Sequence, residues 1–501
     1  VSAADRESEL VLDGSLSIDA LAHVALHYRP VAIGAGARAR IERGRAVTDA
    51  LLAGGERVYG LTTGVGALKR VAVVEDDQVD FNRLLLRAHR TGTGPDAPEA
   101  AVRAAMLVQL AGFAHGRAGV GVELAGHLVA ALNAGLAPRV RTIGSLGQSD
   151  LGPLADLACG LIGEGAAAAE LAGLGLEPWR PLPKEALAFV NSNAFSLGWA
   201  ALAIHRAETC VDRFDEAAAL TFEGMLGNVQ ALDPAIAEAR PVPGIAGTIA
   251  RLQDLLAGGA LLAGTLHRHL QDPLTMRVVP QTHGAARVAL AHARAIVEAE
   301  LVASHDNPAI TPDGRALSNG NFDSVPYGAV LDYLRIALAH VITASCERAN
   351  KLVYAAFSGL PTGLRPDDAS NQDGLAIVVY GAAAATAEAR LLAHPTTLEG
   401  PTTSVAEGIE DRIIPTTLGA RRLDEMCDLA RYVAGVELYC AAQAVDLRGR
   451  VDELGVGTRR VYGVVRRHAP MLGVGDVPLA DFDGLGRTLG DLGPDHWRGG
   501  V

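Results

Sequence analysis

The segment Tyr333-Leu334-Arg335-Ile336-Ala337-Leu338-Ala339-His340-Val341-Ile342-Thr343-Ala344-Ser345 carries a single apolar stripe. Leu334, Ala337, Leu338, Val341, Ile342 and Ser345 recur at the i, i+3, i+4, i+7 spacing that lines one side of an α-helix. Leu423, Met426, Cys427, Ala430, Val433 and Ala434 repeat the pattern, and Ile245–Leu270 reads as another long helix whose glycines allow close helix contacts. Strand-like alternation is rare and short, near Leu10–Leu12 and Ala309–Thr311. The spacing therefore predicts a mainly α protein, a long helical bundle with its core in roughly Ala200–Asn350.

Composition agrees. The chain has 501 residues, of which 49% are hydrophobic, 20% charged and only 4% aromatic, a globular balance rich in alanine and leucine. Alanine costs no side-chain entropy in a helix and lets backbones approach. A length of about 150 residues per domain suggests about three domains, although long bundles absorb such length as one body. The division expected here is 1–195, with the loops near Tyr59 and Ser149, and 196–501, the central bundle and C-terminal helices. A net charge of −13 argues against nucleic-acid binding, which needs a basic face. Five cysteines, Cys159, Cys210, Cys346, Cys427 and Cys440, are scattered without a C-x-x-C pair. That pattern predicts neither a disulfide framework nor a cysteine metal site, and it fits a reducing cytoplasm. Val1–Leu10 is acidic without an apolar signal core, and no uncharged apolar run reaches the roughly 18 residues of a membrane span. Gly484–Val501 reads as a loose tail.

Gly- and Pro-rich segments punctuate the helices at Tyr59–Leu68, Thr91–Pro98, Pro138–Pro153, Pro178–Lys184, Asp272–Gly284, Asp306–Pro326, Ser358–Asp373 and Pro395–Pro415. Such loops carry chemistry when a rigid scaffold holds them. Val58-Tyr59-Gly60-Leu61-Thr62-Thr63-Gly64-Val65-Gly66 is either an ordinary turn or a loop that delivers a phenol as acid or base. A phenol near pKa ~10 must be tuned downward for the latter role. Gly144–Ala155 lacks the G-K-[ST] end of a phosphate loop, and Ser149 lacks the frame and partner histidine of a hydrolase nucleophile. Asn191-Ser192-Asn193 supplies helix caps or substrate ligands. Arg277, in Gln271-Asp272-Pro273-Leu274-Thr275-Met276-Arg277, is a surface charge or a carboxylate clamp. Glu410-Asp411-Arg412 alone reads as surface charge.

The order of these motifs is more telling than any one of them. Tyr-Gly-x-x-Thr-Gly-x-Gly near residue 60, Gly-Ser-x-Gly near 145 and Lys-Glu-x-Leu-Ala-x-x-Asn near 190 come first. Gln-Asp-Pro-x-x-x-Arg-x-x-Pro-Gln near 275, Asp-Asn-Pro near 307, Gly-Asn-Phe at 320–322, Ser358-Gly359-Leu360-Pro361, Leu392-Ala393-His394-Pro395 and Glu410-Asp411 follow. From about Leu10 to about Cys440 the chain resembles the histidine, phenylalanine and tyrosine ammonia-lyases and aminomutases. The resemblance implies a homotetramer of long helices, of the ammonia-lyase/fumarase-like type, with sites shared between subunits and a small carboxylate-bearing substrate. It also implies an electrophilic ring, 4-methylideneimidazol-5-one, made by self-cyclisation of an Ala-Ser-Gly triplet. Carried over by position, Tyr59, Ser149 and Glu410 are the catalytic residues, and His89, Asn191, Gln271, Arg277 and Phe322 bind substrate; no metal ligand is implied.

The resemblance breaks at the triplet. Gln148-Ser149-Asp150 stands there, with the glycine deleted, so the ring-closing nitrogen belongs to a residue with a side chain. Leu274 replaces the family's tyrosine, and Thr62-Thr63 its Asn-Thr. Ring closure needs a tight approach that glycine allows and a substituted residue resists. The expectation is therefore a lyase that eliminates or adds without the ring, MIO-independent and with no cofactor, as aspartase–fumarase-type helical lyases do. Two alternatives stand beside it: a ring-dependent histidine or aromatic amino-acid ammonia-lyase or aminomutase, and a non-catalytic scaffold partner of a lyase.

Overall fold

The computed structural model describes residues 8–73, 78–264, 266–366, 373–400, 405–479 and 481–488. The chain is mainly helical, and among the described residues strands occur only as short pairs. Leu10–Leu12 runs parallel to Val31–Ile33, Thr93–Asp96 antiparallel to Arg141–Ile143, and Ala309–Ile310 antiparallel to Ala316–Leu317. Both strand expectations thus hold to within a residue. The chain divides into two compact units that are discontinuous in sequence. One comprises 1–205, 293–332 and 395–421, the other 206–292, 333–394 and 422–501. Their boundaries fall inside long helices, including Ala194–Met225 and Thr416–Leu447.

In the first unit, helix Glu99–Ala114 is buried on nearly every side and packs against Ile18–His27 and Val122–Asn133. Its Arg103 is fully buried and donates to the Val24 oxygen at 3.0 Å and the Leu132 oxygen at 3.1 Å. A guanidinium there satisfies carbonyls left over in the last turns of both neighbours and complements their dipoles. Its charge also lies 4.0 Å from the centre of the Tyr28 ring. Helices Gln78–Ala88, Leu151–Leu161 and Glu185–Val190 pack on one another, which draws the loops at their ends together.

In the second unit the predicted stripes are interior. Leu334, Leu338, Val341, Ile342 and Ser345 are buried, as are Leu423, Met426, Cys427, Ala430, Val433 and Ala434. Arg348 and Glu437, both fully buried, cross-link their helices, and Ser345 and Thr221 occupy the remaining carboxylate lone pairs at 2.6 and 2.8 Å. The helical core therefore extends past Asn350 to Thr416–Leu447. The helix expected over Ile245–Leu270 ends at Leu256. Gly258 and Gly264 adopt φ of 76° and 80°, and a Cβ on Gly259 would lie 2.6 Å from the Gly455 nitrogen. These glycines make turns and a close backbone approach instead of a helix. The expected tail begins inside a short helix, Phe482–Thr488, and its remainder lies outside the described residues. Among the described residues, two helical stretches, Glu185–Met225 and Val325–Val353, are long and apolar enough to cross a membrane, but their apolar windows are 94% and 72% buried within the protein. Their apolarity is accounted for by the interior.

Candidate active site

The site is built around the turn that leads into helix Leu151–Leu161. Gly147 has φ 75°, and a Cβ there would lie 1.6 Å from the Ile414 oxygen, so the loop closes only with glycine. Ser324 Oγ donates to the Gly147 oxygen at 2.5 Å, and the Ile414 nitrogen donates to Leu146 at 3.0 Å. Held on both sides, the chain enters a left-handed conformation at Ser149, φ 72°, which costs a non-glycine residue about 1–2 kcal/mol. Ser149 is buried. Its nitrogen donates to Asn193 Oδ1 at 3.1 Å and its Oγ to Asn191 Oδ1 at 2.7 Å. Asn193 Nδ2 in turn donates to the Phe322 oxygen at 2.9 Å, which ties the Gly-Asn-Phe loop to the same place.

The next residue, Asp150, turns its carboxylate away from this cradle into a closed polar pocket. Oδ2 accepts from the Ser196 nitrogen and hydroxyl at 2.7 and 2.8 Å, and Oδ1 from Ser145 Oγ at 2.7 Å and Thr417 Oγ1 at 3.2 Å. Burial pushes its carboxyl above the usual range, and these hydrogen bonds oppose that shift. The Asp150 nitrogen donates to the Ser192 oxygen at 2.7 Å.

Tyr59 lies in a turn that Val58 holds by accepting from the Leu61 and Thr62 nitrogens at 3.1 and 3.0 Å. Gly60, φ 65°, packs so closely on Leu187 that a Cβ would lie 2.1 Å from Leu187 Cδ2. This seats the Tyr59 turn beside the helix that ends at Asn191. The tyrosine oxygen accepts from the Gly66 nitrogen at 2.8 Å, and Glu410 stands near enough to act on it electrostatically. Burial, aided by the Glu410 charge, raises the phenol above its ordinary value, with the Gly66 bond opposing. The downward tuning expected for a base is not seen: the site offers more desolvation and negative charge than compensating donors.

The sequence-predicted residues thus divide. Tyr59, His89, Ser149, Asn191, Phe322 and Glu410 belong to the first unit, with the Glu410 charge acting on Tyr59 and hydrogen bonds linking Ser149 to Asn191 and the Phe322 oxygen to Asn193. His89 Nδ1 lies 2.7 Å from the Leu85 oxygen, which can only accept, so Nδ1 donates; in the neutral ring Nε2 is then the acceptor. Gln271 and Arg277 belong to the second unit and bind each other, Arg277 Nη1 donating to Gln271 Oε1 at 2.6 Å while Nε donates to the Asp272 oxygen at 2.9 Å. Both are exposed at the surface of that unit. Sequence reasoning gave no role to Lys184 or Asp306, which lie behind Asn191, although both sit in the quoted Lys-Glu-x-Leu and Asp-Asn-Pro motifs. Their signal was a charged residue inside a motif bordered by apolar runs.

The model of the aromatic amino acid lyase family matches residues 16–467. A histidine ammonia-lyase of Treponema denticola is 36% identical over 470 residues, covering 91% of this chain and 92% of the relative. A histidine ammonia-lyase of Deinococcus radiodurans is 34% identical over 476 residues, with 92% and 90% covered. The crystal structure of ergothionase from Treponema denticola, an ergothioneine-degrading enzyme in complex with desmethyl-ergothioneine sulfonic acid, superposes with a TM-score of 0.90 at 29% identity, covering 96% and 98% of the two chains.

These relatives overturn the expectation of a ring-free, MIO-independent enzyme without a cofactor. Similarity of this depth to histidine ammonia-lyases supports the ring-dependent alternative instead. The residues present fit the group. Ser149 is held in a turned conformation by two asparagines, and the side chain that replaces glycine's hydrogen is stored in its own pocket away from the serine. The steric objection raised by Asp150 assumed that its side chain crowds the closing atoms, and the fold sends it elsewhere. With its family model spanning most of its length and its relatives above 30% identity over nine-tenths of both chains, this chain belongs to the aromatic amino acid lyase family.

Proposed function

We propose that this chain is a ring-dependent ammonia-lyase acting on a small amino acid with an aromatic side chain, histidine foremost. The observation that carries this reading is the depth of similarity to histidine ammonia-lyases together with the cradle at Ser149. The ring formed from Gln148-Ser149-Asp150, when present, supplies an electrophilic carbon that lets the amine leave. Asn191 and Asn193 would hold it through the contacts they make to Ser149.

The chain's own residues do the rest. His89 Nε2, the acceptor left by the Leu85 contact, suits an imidazole N–H of the substrate. Phe322, whose backbone oxygen is tied to Asn193, is the apolar residue that the resemblance places beside the substrate. Arg277, oriented by Gln271, offers a planar fork that matches a carboxylate through two bonds. In the homotetramer with shared sites that the resemblance implies, this pair clamps the substrate carboxylate. Tyr59 exchanges the β-proton, and Glu410 supplies negative charge that favours the substrate ammonium. Five buried, free cysteines support a reducing, cytoplasmic setting.

The test is an intact mass spectrum followed by turnover. Two waters leave on ring formation, so the purified chain should weigh about 36 Da less than its sequence. Incubation with histidine should release ammonia and the conjugated imidazole acid. A full, unshifted mass defeats the ring-dependent reading.

A further inference from the structure

Behind the Ser149 cradle lies a buried charge pair that the carried-over motif roles leave unused. Lys184 is fully buried, with φ 75°, and its Nζ donates to the Ala118 oxygen at 2.9 Å and to Asp306 Oδ2. Asp306, also buried, accepts from Asn191 Nδ2 on its other oxygen at 3.2 Å. The second Nδ2 hydrogen of Asn191 goes to the Asn307 oxygen at 2.9 Å. Both amide hydrogens are therefore directed at acceptors on the Asp306–Asn307 side. The Asn191 oxygen can only face the other way, where it accepts from Ser149 Oγ at 2.7 Å. A flipped amide would set its nitrogen against Ser149 and its oxygen against a carboxylate and a carbonyl, three contacts of poorer kind.

Resting on the ring-dependent reading above, we propose that Lys184 and Asp306 are positioning residues for ring formation: they lock the Asn191 amide, which fixes the direction of the Ser149 hydroxyl. The covalent steps balance without any co-reactant. The Asp150 nitrogen bonds to the Gln148 carbonyl carbon. The carbonyl oxygen leaves as water with the former Asp150 and Ser149 amide hydrogens. The second water takes the Ser149 Cα hydrogen and its Oγ hydroxyl, leaving a carbon–carbon double bond. That loss requires the Cβ–Oγ bond to be held in one orientation relative to Cα–H, and the hydrogen bond to Asn191 does so. A serine free to rotate would reach this geometry only part of the time.

The experiment compares the full-length parent, Asp306→Asn, and Lys184→Met/Asp306→Asn by time-resolved intact mass after synthesis, with thermal melting as the control for folding. The double variant leaves no unpaired buried ammonium, so it remains folded even where the single variant does not. The expected result is a parent that loses about 36 Da and a folded double variant that loses it at least tenfold more slowly. A rescue variant, Asp306→Glu, keeps the carboxylate and should restore part of the rate. A folded double variant that reaches the parent's mass at the parent's rate overturns the proposal alone. A parent with no mass deficit overturns the ring-dependent reading and this proposal with it.

Discussion

The Tyr59 hydroxyl oxygen accepts the Gly66 nitrogen at 2.8 Å, so the loop that presents the phenol also supplies the donor that partly stabilises its anion. Burial and the Glu410 charge outweigh that donor and leave the phenol above its ordinary value. If the phenolate is the base, its fraction grows with pH, and kcat/KM should keep climbing past the region near pH ~10 where an unperturbed phenol levels off. Glu410→Gln removes a negative charge and should move that limb to lower pH. A pH–rate profile of parent and variant decides it; identical limbs would separate Glu410 from Tyr59.

Tyr59→Phe deletes the hydroxyl and keeps the ring. It should lower kcat by roughly 10²–10⁴ with little change in KM. Steady-state kinetics with histidine measures the split. Because the Gly66 amide loses its acceptor, a parallel melting curve checks that the loop has not simply loosened.

Arg277→Ala should act on affinity. A charge-assisted arginine–carboxylate contact contributes up to about 3 kcal/mol, which corresponds to roughly a hundredfold rise in KM. Gln271→Ala frees the guanidinium from its 2.6 Å partner and should give a smaller rise of the same kind. Binding of a substrate analogue lacking the carboxylate should be insensitive to both changes.

Stability should respond most sharply at Arg348 and Glu437. Arg348 Nε and Nη2 meet the two carboxylate oxygens at 2.6 and 2.9 Å, and neither side chain is exposed. Removing one partner strands the other charge in the interior, at a cost of about 3–5 kcal/mol. Glu437→Gln should lower the unfolding midpoint strongly in denaturant titration. Arg348→Met/Glu437→Leu, with no orphan charge, should recover most of the loss.

Gly147→Ala tests the turn itself. With the Ile414 oxygen 1.6 Å from the new Cβ, the loop must shift bodily. Ring formation, read by intact mass, should fail even where melting shows the chain folded.

What the sequence determined by itself was whatever rests on local periodicity and on the order of motifs. The stripes at Leu334–Ser345 and Leu423–Ala434 are interior because an amphipathic helix has one way to bury its apolar side. The short strands at Leu10–Leu12 and Ala309–Ile310 were legible for the same kind of reason. Tyr59, Ser149, Asn191 and Glu410 were found as a series of motifs, with no indication of which touch. Only the tertiary structure decided that. It ended the helix at Leu256, where Gly259 must pass close to Gly455. It put Asp150 into a pocket made by Ser145, Ser196 and Thr417, three residues spread over most of the chain. The relatives overturned the ring-free reading, and that placement removes the steric objection to a ring, because whether a side chain blocks a reaction depends on where the surrounding residues let it go. It also joined Lys184 and Asp306 behind Asn191, a contact spanning 122 positions in sequence that no local pattern encodes.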